Sequence, residues 1–261
     1  MIKYSSTSFL YMQYEIIMLF FLVAAVYSSV GFGGGSSYLA ILALFGVDFE
    51  LLRITALLCN ITVVTGGTFL YWKNGFLNWK SVLPLVLISI PAAFLGGTMK
   101  LSQSTFFVLL GIVLIIAAIL MWIMTTEINK AKDQGNGNHF TKNTIIGGGI
   151  GFLSGIVGIG GGIFLSPTLH FLNWNTAKFI GAAASFFILV NSIAGLFGQL
   201  LVLETAGLNI KLVILLIFAV FLGGQIGSRL GINKLSPMLV KRITAILVFI
   251  VGVRILVKYT L

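Results

Sequence analysis

Apolar residues gather into eight long runs, roughly 14–46, 51–72, 79–99, 104–124, 143–172, 177–203, 209–230 and 237–257. Most match the roughly 20 residues that a helix needs to cross a bilayer, so the pattern predicts an all-α integral membrane protein. The one sizeable polar stretch is TTEINKAKDQGNGNHFTK, residues 125–142. It is short and rich in turn residues, so it reads as a linker between a first membrane repeat, 1–124, and a second, 143–261. Two of the runs are too long for one crossing. As a single helix, 14–46 would extend for about 50 Å, with three consecutive glycines, poor helix formers, in its middle. Such a run either breaks and crosses obliquely or turns back as a re-entrant hairpin.

The two halves repeat one another. VGFGGG at 30–35 and VGIGGG at 157–162 lie 127 residues apart, and FLGG at 94–97 recurs 127 residues later at 221–224. Between these anchors Asn78 and Asn209 are 131 residues apart, a slip of about one helical turn. The expected architecture is two four-segment repeats, each opening with a glycine-broken or re-entrant helix hairpin. The duplication also marks 16–26 as retained structure and not a signal peptide, because 143–157 fills the same place before the second motif. If both glycine runs are hairpins, the Lys and Arg residues divide ten to six across the membrane, with the excess on the linker's side; if both cross, they divide nine to seven. The positive-inside rule favours the uneven split, which places the linker in the cytoplasm, both termini outside, and the repeats in inverted orientation.

Composition narrows the function classes. Hydrophobic residues make up 58% of the 261 and charged residues 8%, against about 25% charged in a soluble domain. A soluble globular protein, a disordered chain and a nucleic-acid-binding domain are all excluded. The formal net charge of +10 belongs to loops and interfaces between the apolar runs. The single Cys59 rules out an internal disulfide or a thiolate cluster, and His139 and His170 are too few for a histidine metal site. No cofactor or metal is expected. The 31 glycines are the unusual entry in the composition.

Those glycines carry the chemistry. Gly31, Gly33, Gly34 and Gly35, followed by Ser36, and Gly158, Gly160, Gly161 and Gly162 would each leave backbone N–H groups at the start of a new helix. Inside a membrane these donors must be satisfied. Two such positive helix ends near the midplane form an anion site without any arginine. The plainer alternative is close helix packing, which uses glycine every fourth residue and not in adjacent triplets. Gly147, Gly151 and Gly155, and Gly223, Gly227 and Gly231, have the packing spacing and read as contact ridges. Asn60 and Asn191, 131 residues apart on the helices after the glycine motifs, could bind anion oxygens without adding charge, as could Ser185; interhelical hydrogen bonding is the alternative for all three. Gln199 and Gln225 are weaker candidates of the same kind. Arg53 and Lys178 open those helices, either drawing an anion to the entrance or simply snorkelling to the interface.

VGFGGGSS, SGIVGIGGGIFLSP, AAASFFILVNSIAG and the closing LGGQIGSRLGINKLSPMLVKRITAILVFIVGVRIL resemble the sulfite exporter TauE/SafE family, also described as the four-toluene sulfonate uptake permease group. The resemblance implies a secondary transporter in the cell membrane moving sulfite, sulfonates or related small sulfur-containing anions. Lipid and a second copy of the chain are the other candidate partners. The first half departs where TMKLS follows Gly97 and QIGSR follows Gly224. Two other classes stand beside this reading. One is an auxiliary membrane subunit of a larger assembly; the other is an intramembrane serine protease built on Ser154 and His170.

Overall fold

The computed structural model describes residues 6–29, 31–47, 49–123, 140–172, 174–202, 210–233 and 237–260. Among them all regular structure is helical: α1 (Ser6–Ser28), α2 (Gly35–Leu44), α3 (Phe49–Lys73), α4 (Trp79–Thr98), α5 (Gln103–Ile123), α6 (Phe140–Val157), α7 (Gly162–Phe171), α8 (Ala177–Leu200), α9 (Ile210–Asn233) and α10 (Pro237–Thr260). The eight apolar runs thus become ten helices, because each glycine run divides in two where the sequence predicts a break. Most of the polar linker lies outside the described residues, as do Glu204 and Lys234. Five of the described helical stretches, in α3, α4, α5, α8 and α9, are long and apolar enough to cross a membrane.

Glycine ridges set the pairing of the helices. A Cβ on Gly147 or Gly155 of α6 would collide with the carbonyl oxygen of Leu85 or Ala93 of α4, and one on Gly151 would stand 2.6 Å from that of Ser89. Backbone therefore lies directly on backbone, which only glycine permits. The contacts advance in the same order along both chains, so α4 and α6 run parallel. Gly223 and Gly227 of α9 pack in the same way on Phe21 and Ala25 of α1. The packing role expected for these glycines holds; the surroundings of Gly231 fall outside the described side chains. Each ridge joins the first helix of one half to a helix of the other.

At the centre are α3 and α8, whose hydrophobic stretches are 61% and 67% buried, against 33% for α9. They run antiparallel, since Thr68 meets Ser185 and Asn60 meets Ser192. Helix α8 runs parallel to α4, with contacts from Trp79–Phe186 through Ser89–Asn191 to Gly97–Gly195. Helix α3 follows α9 through Val63–Gly224 and Gly66–Gln225. Hence α1, α3 and α9 point one way and α4, α6 and α8 the other. The outer faces are apolar, as in Leu83, Leu87 and Leu95 of α4 and Phe218 and Leu222 of α9, a surface suited to hydrocarbon and not to water.

Because α1 and α3 share a direction, the short helix between them must return. Tyr38 of α2 stacks on Phe20 of α1 with ring centroids 4.6 Å apart. Tyr27 Oη and Ser37 Oγ lie 2.8 Å apart in a hydrogen bond. Eighteen residues of continuous helix would hold Phe20 and Tyr38 about 27 Å apart, so α2 folds back beside α1. Likewise α7 lies between two helices of one direction, and the Cβ position of Gly161 is 3.2 Å from Ile150 of α6.

Candidate functional site

Each glycine break is a helix end followed at once by a helix start. Helix α1 stops in a Schellman turn: Gly31 takes φ +82°, its N–H donates to the Ser28 carbonyl at 3.1 Å, and the Phe32 N–H donates to that of Tyr27 at 2.9 Å. This arrangement satisfies the last carbonyls of α1. Helix α2 then begins from Gly34, left-handed at φ +87°, and α7 begins in the same way from Gly161 at φ +79°. Neither start has a side-chain cap from its own capping residue, so the first-turn N–H groups must find partners elsewhere or remain available.

Asn60 joins the two breaks. Its Oδ1 accepts from the Gly35 N–H at 3.2 Å, and its Nδ2 donates to the Ile159 carbonyl at 3.1 Å and to Ser192 Oγ at 3.2 Å. One buried amide on α3 therefore ties the start of α2, the break after α6, and α8 into one cluster. A side chain at Gly33 would overlap Asn60 Oδ1, and a Cβ at Gly160 would stand 2.5 Å from Nδ2 and 2.6 Å from Ser192 Oγ. These glycines make room for Asn60. Ser192, one residue after Asn191 on α8, is a direct partner of Asn60. Ser36 is buried in the first turn of α2. Gly162, at the start of α7, has its Cβ position taken up by Ile188 of α8.

The other predicted residues separate from this cluster. Asn191, the counterpart of Asn60 by sequence, donates to Ser89 Oγ of α4 at 3.0 Å and to the Phe187 carbonyl at 2.8 Å. Its Oδ1 is buried with no hydrogen-bond partner. Ser185 pairs with Thr68 at 3.1 Å and donates to the Val64 carbonyl at 3.3 Å, bridging α8 to α3. Lys178 is exposed, with Nζ 5.2 Å from the Phe76 ring, as interfacial snorkelling predicts. Arg53 is different. Its exposure is 0%, Nη2 donates to the Ile156 carbonyl at 3.0 Å, and the guanidinium lies 5.2 Å from the Phe106 ring. It is a buried charge against the end of α6 and not an interfacial one.

Hydrogen bonding gives the expected ranking of two variants. Asn60→Ala removes three bonds and strands the Gly35 N–H, whereas Asn191→Ala removes two. At about 0.6 kcal/mol for an average interhelical hydrogen bond in a membrane, Asn60→Ala should cost about 2 kcal/mol and Asn191→Ala about 1 kcal/mol. Unfolding in mixed detergent should show that order.

Ser154 Oγ is buried without a partner, while His170 Nδ1 lies 2.8 Å from the Ser166 carbonyl. The pair therefore makes no nucleophile–base contact. A cavity of about 310 Å3 lies away from the breaks, between α5 and α10, with Ala118, Trp122, Ala245 and Phe249 among its apolar walls.

Comparison with known proteins gives consistent matches. Residues 16–255 match the family described as sulfite exporter TauE/SafE. The chain is 32% identical over 250 residues to the "Probable membrane transporter protein y4hK" of Sinorhizobium fredii (strain NBRC 101917 / NGR234), covering 92% of this chain and 97% of that one. It is 24% identical over 267 residues to the "Probable membrane transporter protein YunE" of Bacillus subtilis (strain 168), covering 92% and 96%. No solved structure matches.

Proposed function

The chain belongs to the sulfite exporter TauE/SafE family of multi-pass membrane transporters, and on that premise we propose that it is a secondary transporter for sulfite, sulfonates or related small sulfur-containing anions. It is a transporter and not an enzyme. The observation that carries the mechanism is the meeting of the two glycine breaks, at Gly35 and at Ile159, around one buried amide, Asn60. The first-turn N–H groups of α2 and α7, with Ser36 and the Asn60 amide beside them, form a neutral donor set for an anion. Backbone dipoles attract a negative ion there without the fixed charge that would hold it too tightly for release.

The architecture on this reading is two inverted repeats, 1–124 and 143–261, each opening with a re-entrant hairpin. Support comes from the opposed directions of α1 and α6, α3 and α8, and α4 and α9, and from the return of α2 and α7. The burial of Arg53 sharpens the charge argument, since it removes one of the six cations assigned to the side of the termini. The linker and its cations then face the cytoplasm and both termini face outward, in the cell membrane. Alternating access follows as a rocking of the two halves about the shared site, with Asn60 letting go of one break as the other opens.

Purified chain in liposomes should carry sulfite, and compete with sulfoacetate, taurine or thiosulfate, in a saturable manner. Transport of an amine or sugar with none of these anions recognised would overturn the substrate class. No transport by the purified chain alone would favour the auxiliary-subunit reading.

A further inference from the structure

We propose that Gln199 and Arg53, set against the second glycine break at Gly158, form a one-sided oxyanion subsite that has no counterpart at the first break. The proposal takes its ligand class from the transport reading above and adds specific residues to it. Gln199 of α8 has 0% exposure, and neither its Oε1 nor its Nε2 has a hydrogen-bond partner. An amide buried in this way is costly in a protein interior, and leucine would serve packing better. Its position gives it a direction: Nε2 stands 3.1 Å from the place a Cβ of Gly158 would occupy, and Arg53 Cβ stands 4.0 Å from that same point. Glycine at 158, with φ +75°, adds no side chain of its own to this corner, where Leu57 Cδ1 also stands 4.0 Å from that point. The Arg53 guanidinium sits beside the same turn, on the Ile156 carbonyl.

The other half lacks this arrangement. Gly31 is the counterpart of Gly158, and there the Cβ position runs into the Gly181 carbonyl oxygen at 2.5 Å, so backbone closes the corner. Thr68 is the counterpart of Gln199 at the 131-residue spacing, and its hydroxyl is bonded to Ser185. The polar corner therefore lies at one break alone and is not a product of the duplication.

The chemistry fits a small oxyanion. The Gln199 NH2 group and the guanidinium donate to anionic oxygens. The Gln199 carbonyl oxygen accepts, which suits an anion bearing a hydroxyl hydrogen, such as hydrogen sulfite.

The test is titration of the purified full chain in detergent with sulfite and, separately, with nitrate, for wild type, Gln199→Leu and Gln199→Met. The dissociation constant for sulfite should rise at least tenfold in both variants. Their melting temperatures should hold or rise, because an unbonded amide gives way to an apolar side chain. Unchanged sulfite affinity in both variants overturns the subsite while leaving the substrate class intact. Lowered melting, or failure to fold, in both variants assigns Gln199 a structural role and also overturns it. If wild type binds nitrate but not sulfite, and Gln199→Leu loses the nitrate, the subsite stands and the substrate class falls. If wild type binds neither anion, both fall.

Discussion

Gly161→Val should reduce sulfite flux in proteoliposomes to the level of empty vesicles, and Gly34→Val should do the same. Both glycines cap buried helix starts in the left-handed region, at φ +79° and +87°, where a β-branched residue is a genuine outlier. Backbone strain of about 1–3 kcal/mol is the first cost. The second is steric. The Cβ at Gly161 would stand 2.9 Å from Phe187 Cε1 and 3.1 Å from Ser154 Cβ, and that at Gly34 would stand 2.9 Å from the Tyr38 ring and 3.0 Å from Val23. Relief requires the first turn of α7 or α2 to swing, which moves its N–H groups out of place beside the two breaks. Thermal stability should fall along with flux. Gly161→Asn makes a useful companion, because asparagine visits the left-handed region far more readily; it should recover folded yield ahead of transport. Wild-type flux in folded Gly161→Val would sink the anion site between the breaks.

A second large effect is expected from Gly155→Leu, this time on assembly. Its Cβ would overlap the Ala93 carbonyl oxygen, a backbone atom that cannot rotate aside. Helices α4 and α6 would have to separate along the seam that joins the two halves, and the van der Waals packing that replaces the hydrophobic effect inside a membrane would go with it. No monodisperse peak on size exclusion is the expected result. Gly149→Leu provides the control six residues earlier on the same helix, since nothing lies within 4 Å of its Cβ position. It should purify and melt like wild type, within about 0.5 kcal/mol. Equal behaviour of the two variants would mean that the ridge does not hold the halves together.

Much of this was legible in the residues. Hydropathy marked the membrane helices, adjacent glycines marked the breaks at 31–35 and 158–162, and glycine at every fourth position marked the ridges, because each signal is local. Arg53 was not legible in the same way. Its burial is decided by Ile156 and Phe106, which lie far along the chain, and its own neighbours say only that it begins a helix. Asn60 and Asn191 hold equivalent places in the duplicated pattern, yet one meets Ser192 and the other Ser89. Which member of a duplicated pair turns toward the shared centre depends on how the two halves differ at their contact, and the repeat pattern contains no term for that. Gln199 shows the same limit, since its unbonded amide is visible only once the neighbouring helices are in place.

The crossed seams have a consequence for descent. Helix α6 finds its close backbone partner in α4, and α1 finds its own in α9, so the first helix of each half is covered by a helix of the other. On the inverted-repeat reading proposed above, an ancestor consisting of one half would have been an obligate pair of identical chains, inserted in opposite senses, each completing the other. Joining the two copies in one polypeptide locks the stoichiometry at one to one and frees each copy to change alone. The unequal pair Thr68 and Gln199 is the kind of divergence that such a fusion permits and a pair of identical chains would forbid.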